Sequence, residues 1–325
     1  MLYKQYQKED SNINRKKLKK KESYQDKFFY HQLHLMGERV QSSVYLRQIG
    51  AGQDMAFDGG NEKVKWIVAG DGHGYGKVVE EARKFNWNQL ENKDLSVQEI
   101  LQEFLDNEKV SGPKTFDDGM SLSVVRVFFE NDNQRKIELS WIGDSSIWVS
   151  KVNTNSPLFF NDPGHGGQYV IHSSLQDLVT KKSAVNFEIL DDENAKAVTD
   201  FYFHFQSPDN SDDKEVINMT GAIGHRKLTY HPFFTQNLLV ESDEKIIIRV
   251  ASDGLWNVLH PGDRITLLSN PEYSSEKLSG IALKRWNQFW NYDPNISEDE
   301  TFPIQNFTPI GDPDDIAVGT MLLNL

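Results

Sequence analysis

Four aspartates in this sequence stand where an apolar, strand-like run meets a tight turn: Asp71, Asp144, Asp253 and Asp314. Strand ends are rigid, so carboxylates mounted there can converge on one point with little loss of entropy. Hard divalent cations such as Mg²⁺ and Mn²⁺ bind sets of carboxylate, carbonyl and water oxygens. The residue types therefore indicate an oxygen-ligated metal site, although an aspartate in such a turn is also an ordinary turn former or helix cap.

The segments that carry these aspartates are predicted strands. The apolar runs Lys63–Ala69 and Lys245–Ala251 end just before two of the acidic turns, and Asp315–Leu323 follows a third. Two more strands, Ser121–Glu130 and Ile137–Lys151, are predicted around a turn at residues 131–133.

Helices are predicted in two pairs. The helix that begins after Ser96 has Glu99 at its third position, which is the capping-box pattern. The four predicted helices are Lys77–Leu90, Val97–Asn107, Gly262–Ser269 and Ser275–Trp290. An order of strand, two helices, many strands, two helices and strand predicts an α+β fold with helices packed on a largely antiparallel core.

The length of 325 residues is compatible with one large domain, predicted here at 26–325. Residues 1–25 are polar and carry the basic run Arg15–Lys21, so they are predicted to be a disordered N-terminal extension. Residues 152–218 and 291–312 are polar and rich in turn signals, and are predicted to be long loops or insertions within the domain.

Composition excludes several function classes. A net charge of −13 is unfavourable for general nucleic-acid binding. The chain has no Cys, which excludes disulfides, thiolate zinc sites and a cysteine nucleophile. No stretch reaches the roughly 20 apolar residues of a membrane helix, and the N-terminus lacks an apolar signal core. We expect a cytoplasmic monomer; the basic run makes a nuclear location the alternative.

The acidic turns, taken in order over residues 45–323, resemble those of the metal-dependent type 2C protein serine/threonine phosphatases. Asp71–Gly74 resembles the signature Asp-Gly-His-Gly-Gly, with Tyr75 in the last place. Residues 142–145 are similar to Val-Gly-Asp-Ser-Arg, and residues 314–318 to Asp-Asn-Ile-Thr-Val. Residues 251–259 differ from Ala-Ser-Asp-Gly-Leu-Trp-Asp-Val-Leu only at Asn257. The complete set in the family's order is a specific match.

The resemblance implies a fold of two stacked, mainly antiparallel β-sheets flanked by pairs of helices, a four-layer αββα sandwich. It also implies two Mn²⁺ or Mg²⁺ ions. Asp71 would bridge them, the carbonyl of Gly72 would bind the second, and Asp253 and Asp314 would complete the first. Asp144 would serve a third, more weakly held ion.

Other site residues are also implied by the resemblance, with departures. His73 would be the general acid, and Asp54 would act on the ions through water. An Arg lies five residues before the residue matched by Asp54 in the family and binds the substrate phosphate; here Ile49 occupies that position and Arg47 is the nearest candidate. Gln53 replaces a Glu next to Asp54.

The reaction implied is hydrolysis of phosphoserine and phosphothreonine in proteins by a water activated between two metal ions. Phosphorylated proteins are the expected partners, with neither nucleic acid nor membrane. Two other hypotheses stay open. The changes at Ile49 and Gln53 also suit a pseudophosphatase that acts as a binding or scaffold module. The third hypothesis is a metal-dependent phosphatase for small phosphate esters, which no substrate-pocket signature in the sequence excludes.

Overall fold

The computed structural model describes residues 26–35, 38–111, 118–129, 133–161, 179–189, 198–206, 214–217, 222–224, 233–259, 261–287, 290–293, 305–307 and 314–324. The strands are, in chain order, β1 (Asp26–Leu35), β2 (Glu38–Arg47), β3 (Met55–Gly60), β4 (Val64–His73), β5 (Gly119–Phe128), β6 (Gln134–Ile142), β7 (Ser146–Lys151), β8 (Phe159–Phe160), β9 (Val179–Ile189), β10 (Val198–Gln206), β11 (Lys214–Ile217), β12 (Ile223–Gly224), β13 (Phe234–Glu241), β14 (Ile246–Ala251), β15 (Trp290–Asp293), β16 (Gln305–Phe307) and β17 (Ile316–Leu323). The helices are α1 (Lys77–Ala82), α2 (Val97–Leu105), α3 (Glu108–Ser111), α4 (Asp253–Trp256), α5 (Pro261–Leu268) and α6 (Ser275–Trp286), with a 3-10 helix at Trp87–Glu91.

Two antiparallel sheets form the body of the fold. In the first sheet the strand order is β1-β2-β17-β14-β7-β8. In the second sheet it is β13-β6-β5-β4-β3, and β12 pairs with the start of β5. Strands β4 and β5 of the second sheet are buried on both faces, so they carry apolar residues on both faces; the polar residues Ser121, Ser123 and Arg126 of β5 are buried as well.

Three apolar clusters define four layers. Between the sheets, residues such as Ile67 and Val125 of the second sheet pack against Ile248 and Met321 of the first. Helices α1, α2 and α3 cover the outer face of the second sheet, and helices α4, α5 and α6 cover the outer face of the first. The predicted αββα sandwich of two antiparallel sheets is therefore confirmed.

The helix predictions were right in position and less accurate in extent. Helix α2 begins at the predicted capping box, in which Ser96 Oγ accepts from the Glu99 amide at 3.2 Å and Glu99 Oε2 accepts from the Ser96 amide at 2.8 Å. The helix predicted over Lys77–Leu90 is divided into α1 and the 3-10 helix. At this division the indole of Trp87 donates to the Ala82 carbonyl at 3.0 Å, so a side chain bonds the last carbonyl of α1.

The two segments predicted as loops or insertions contain strands. β9, β10, β11 and β16 lie within them, and together with β15 they form a five-stranded sheet of order β11-β10-β9-β15-β16. The prediction of irregular structure was therefore wrong for these strands; the alternating Phe201, Phe203 and Phe205 was the strand signal that it overlooked. The single-domain boundary stays a prediction, and residues 1–25 with their basic run lie outside the described residues.

Candidate metal centre

Strand pairing brings the ends of several strands to one edge of the sandwich. Ala251, the last residue of β14, pairs with Val318 of β17 on one side and with Ser146 of β7 on the other. The residues adjoining these positions therefore come together: Asp253 opens α4, Asp314 precedes β17 and Asp144 lies in the turn before β7. Asp71 enters from the opposite sheet, near the end of β4.

Asp71, Asp144 and Asp253 form a buried carboxylate trio. Each offers one oxygen, and the three oxygens lie within 4.8 Å of one another. The residues are only 9%, 5% and 8% exposed, respectively. Three carboxylates this close, with so little water to screen them, repel one another strongly unless protons or a cation neutralise them.

Burial and this repulsion raise the pKa values of the carboxyl groups. Burial raises the pKa of Asp71 well above its ordinary value, and the negative charges of Asp253 and Asp54 raise it further. Burial also raises the pKa of Asp144 to about 7, again with a contribution from the charge of Asp253. The metal-free site therefore favours protonated carboxyl groups at a pH where an exposed aspartate is ionised.

Asp314 and Asp54 belong to the same electrostatic cluster. Burial raises the pKa of Asp314 to about 7, and the charges of Asp54 and Asp315 add to the shift. Burial likewise raises the pKa of Asp54 well above its ordinary value, assisted by the charge of Asp315. The structure thus brings together all five acidic residues that the resemblance assigns to metal binding; their individual roles stay predictions.

Ser252 and Asn257 are contacts of this cluster that the sequence reasoning missed. Ser252 Oγ donates to Asp54 Oδ2 at 2.6 Å and accepts from the Ala317 amide at 3.0 Å, which joins the end of β14 to β17 and to Asp54. Asn257 Nδ2 donates to Asp253 Oδ2 at 3.0 Å. An Asp at this position, as in the family pattern, could not make that bond in its ionised form.

Buried polar groups hold the turn that carries Asp144. Ser121 Oγ lies 2.6 Å from Ser145 Oγ and also accepts from the Ser145 amide at 3.1 Å. Asn161 Oδ1 accepts from the Ile147 amide at 2.5 Å, just beyond the turn. The turn that carries Asp144 is therefore held by Ser121 at Ser145 and by Asn161 at Ile147.

The residues present fit a hard divalent cation. Asp144 Oδ1 is buried and accepts no hydrogen bond from the described part of the chain, so it is available as a ligand. Gly72 must be glycine, because a Cβ there would lie 2.3 Å from Val79 Cγ2 and 2.8 Å from the Gln53 carbonyl oxygen. An all-oxygen donor set in a chain without Cys suits Mg²⁺ or Mn²⁺ better than zinc.

His73 and Arg47, the proposed general acid and the proposed phosphate-binding residue, lie in different settings. His73 is half-buried at the last residue of β4, and Gly74, with φ of 78°, turns the chain directly after it. Arg47 lies at the end of β2, where Nη2 donates to the Tyr45 hydroxyl at 2.9 Å. Ser43, on the same face of β2, contacts Ser275 of α6, so this face is directed toward the outer helices. The phosphate-binding role of Arg47 stays a prediction.

No family model and no curated protein matches the chain. Solved structures do match. The S. agalactiae serine/threonine phosphatase is 16% identical with a TM-score of 0.46, over 91% of this chain and 99% of that one. The catalytic domain of the serine/threonine phosphatase PstP, solved with two manganese ions, is 12% identical with a TM-score of 0.41, over 93% and 99%. Stp1 from Staphylococcus aureus is 13% identical with a TM-score of 0.40, over 93% and 95%. The chain is similar over most of its length to these solved phosphatases, but TM-scores below 0.5 at 12–16% identity carry no conclusion about this chain.

Proposed function

We propose that this chain is a metal-dependent phosphatase that hydrolyses phosphoserine and phosphothreonine in proteins. The observation that carries the proposal is the buried trio of Asp71, Asp144 and Asp253, whose carboxylate oxygens converge within 4.8 Å at the strand ends of a two-sheet sandwich. The motif resemblance adds the reaction and the substrate class.

The proposed ligands are those that the motif resemblance implies. Asp71, Asp253, Asp314 and the carbonyl of Gly72 would hold two Mn²⁺ or Mg²⁺ ions, and Asp144 a third, weaker one. Such ions supply a water of lowered pKa and neutralise the charge of a phosphate group.

The protein contributes the electrostatic setting. The carboxyl groups must lose their protons to bind a cation, and their raised pKa values mean that this loss is unfavourable until the cation arrives. Burial then keeps the effective dielectric constant low, so that fixed charges act strongly on a phosphate. Ser252 donates to Asp54 and keeps this carboxylate oriented within the cluster.

His73 is proposed to donate a proton to the leaving alkoxide. A serine or threonine alkoxide is a poor leaving group, so protonation of its oxygen lowers the barrier. His73 lies two residues beyond Asp71 on the same strand and is partly exposed, as a group that must contact a large substrate should be.

The pseudophosphatase hypothesis is favoured by specific contacts near the expected phosphate position. Ile49 packs against the apolar cluster beneath the outer helices, where the family has a phosphate-binding Arg. The Gln53 side chain donates to the Gly74 carbonyl at 2.7 Å. Arg47 Nη2 already donates to the Tyr45 hydroxyl at 2.9 Å, which uses one of the five N–H donors of its guanidinium.

Hydrolysis of a phosphothreonine peptide with and without Mn²⁺ tests the proposal. We expect Mn²⁺-dependent turnover by the parent chain and loss of at least about 100-fold in Asp253→Asn, because a ligand is replaced by a neutral group. Asp243→Asn, an exposed aspartate in the turn before β14, is the matched control and should retain the parent rate.

The same assay separates the alternatives. A parent chain that binds Mn²⁺ and the phosphopeptide without turnover would establish the pseudophosphatase. Turnover of p-nitrophenyl phosphate together with no turnover of the peptide would identify a phosphatase for small esters.

A further inference from the structure

Asp315 is buried beside the site, and its carboxylate binds a backbone loop. The loop comprises residues 48–54, between β2 and β3, and is called here the 48–54 loop. Asp315 Oδ1 accepts from the amides of Ile49 at 2.6 Å and Gly50 at 2.7 Å. Asp315 Oδ2 accepts from the Gln53 amide at 2.7 Å. Both carboxylate oxygens of Asp315 are thus used on this loop.

Arg83 binds the carbonyl groups of the same loop. It follows directly after α1, and its Nη2 donates to the carbonyl oxygens of Gly52 at 2.6 Å and Asp54 at 2.7 Å. The 48–54 loop is therefore bound through both kinds of backbone group: Asp315 accepts from its amides, and Arg83 donates to its carbonyl groups.

The held loop is continuous with the proposed metal centre. It ends at Asp54, whose carboxylate accepts from Ser252, and its Gln53 carbonyl packs closely against Gly72. Asp315, whose carboxylate binds the loop, directly follows the proposed ligand Asp314 in the chain. A shift of the loop would displace Asp54 relative to Asp314.

We propose that Asp315 and Arg83 are positioning residues that clamp the 48–54 loop and thereby hold Asp54 in place beside the metal ligands. The inference rests on the proposed function, because it assumes that the aspartate cluster binds divalent ions. The hydrogen bonds of the clamp offset the conformational entropy that the loop loses when it is ordered. Partners that orient metal ligands typically change metal affinity by about 10–100-fold when mutated.

Two variants loosen the clamp from its two sides. Asp315→Asn keeps the size of the side chain but directs an amide NH₂ group, which cannot accept, toward one set of loop amides. Arg83→Lys keeps the positive charge but removes the fork that bridges two carbonyls. Asp58→Asn is the matched control: Asp58 accepts from Ser42 Oγ at 2.6 Å, so this change removes the same charge from another link between β2 and β3.

The experiment measures Mn²⁺ binding to the full chain by calorimetry and amide hydrogen exchange of the metal-free chain. We expect both clamp variants to bind Mn²⁺ about 10–100-fold more weakly. We also expect faster exchange at the amides of Ile49, Gly50 and Gln53. The Asp58→Asn control should match the parent in both measurements.

The two measurements separate a failure of the positioning role from a failure of the proposed function. Faster exchange with unchanged Mn²⁺ affinity in both variants would make the clamp purely structural and overturn the positioning role. A parent chain that binds no Mn²⁺ would overturn the proposed function, and this inference with it. If Asp315→Asn does not fold, Arg83→Lys decides the matter alone, since its partly exposed side chain lies outside the buried cluster.

Discussion

A single histidine, His73, carries the proposed proton transfer, and its contribution should depend on the leaving group. His73→Ala should lower turnover of a phosphothreonine peptide by about 10²–10⁴-fold. An aryl ester such as p-nitrophenyl phosphate should lose much less, because nitrophenolate leaves without a proton. Steady-state rates on both substrates at saturating Mn²⁺ provide the check. Equal losses on the two substrates would contradict a general-acid role.

Ser252 makes a prediction about stability. Its hydroxyl donates to Asp54 and accepts from the Ala317 amide, so Ser252→Ala leaves two buried polar groups without that partner. The free energy of unfolding should fall by about 1–3 kcal/mol. Urea unfolding measures the change, with Ser156→Ala, at an exposed serine, as the control. If Ser252→Ala lowers the free energy of unfolding no more than Ser156→Ala does, neither hydrogen bond of Ser252 stabilises the fold.

Residue types predicted the acidic cluster, but they could not predict the groups that hold it. The aspartates were recognisable because each adjoins an apolar run, a pattern visible within a few residues of sequence. The grip of Asp315 on Ile49 joins positions 266 apart, and nothing local to either residue indicates it. The sequence reasoning assigned Asp315 no role, since a charge beside a ligand has no evident partner until the fold is known.

At the element level, the packing of α4 against β17 depends on Gly254. A Cβ there would lie 1.9 Å from the Asp315 carbonyl oxygen, so Gly254→Ala must separate α4 from β17. Because these elements carry Asp253 and Asp314, we expect weaker Mn²⁺ binding and a loss of about 1–3 kcal/mol in stability. Calorimetry and urea unfolding measure the two effects.

Gly280 of α6 supplies the matched comparison. A Cβ at Gly280 would meet nothing within 4 Å. Gly280→Ala should therefore raise stability by about 0.5–1 kcal/mol, because alanine is the better helix former, and leave Mn²⁺ binding unchanged. Similar effects of the two substitutions would show that the close approach at Gly254 is not a constraint on the site.

Elements with a strong local pattern were predictable, and those that depend on distant pairing were not. Local patterns predicted the apolar strands β4, β14 and β17 and the capping box of α2. An apolar run and a capping box are each defined by a few consecutive residues, so both can be recognised in the sequence. The five-stranded sheet was missed because its strands lie among polar turn signals and, within the described residues, pair with one another and not with the two large sheets. The predicted helix Ser275–Trp290 ends at Trp286, and Trp290 begins β15.

For the whole molecule, the acidic cluster couples stability to pH. The carboxyl groups of Asp144 and Asp314 have pKa values of about 7 in the folded chain, against an ordinary value of 3.8. Between these values the folded chain binds more protons than the unfolded chain, so the stability of the metal-free protein falls as pH rises from about 4 to 7. Each pKa unit corresponds to about 1.4 kcal/mol, and a domain of this size shifts by about 2–4 °C per kcal/mol.

Thermal unfolding in a chelator from pH 5 to 8 should therefore show a fall in the midpoint of roughly 5 °C or more. Excess Mn²⁺ should remove the fall, because a cation takes the place of the protons. Asp144→Asn should raise the metal-free midpoint at pH 8 and reduce its pH dependence. A metal-free midpoint that rises steadily toward pH 8 would refute this account of the cluster.

Strand β17 lies between β2 and β14, and it follows every other strand of both large sheets in the chain. During synthesis, β2 and β14 emerge from the ribosome before the strand that joins them, so each presents an open edge for some time. Such edges are prone to pairing with other chains. The contacts of β17 with β2 span most of the sequence, which is a topology that folds slowly. Asp314, a proposed ligand, thus arrives with the strand that joins β2 to β14, so the site is completed in the same late step that covers these two open edges.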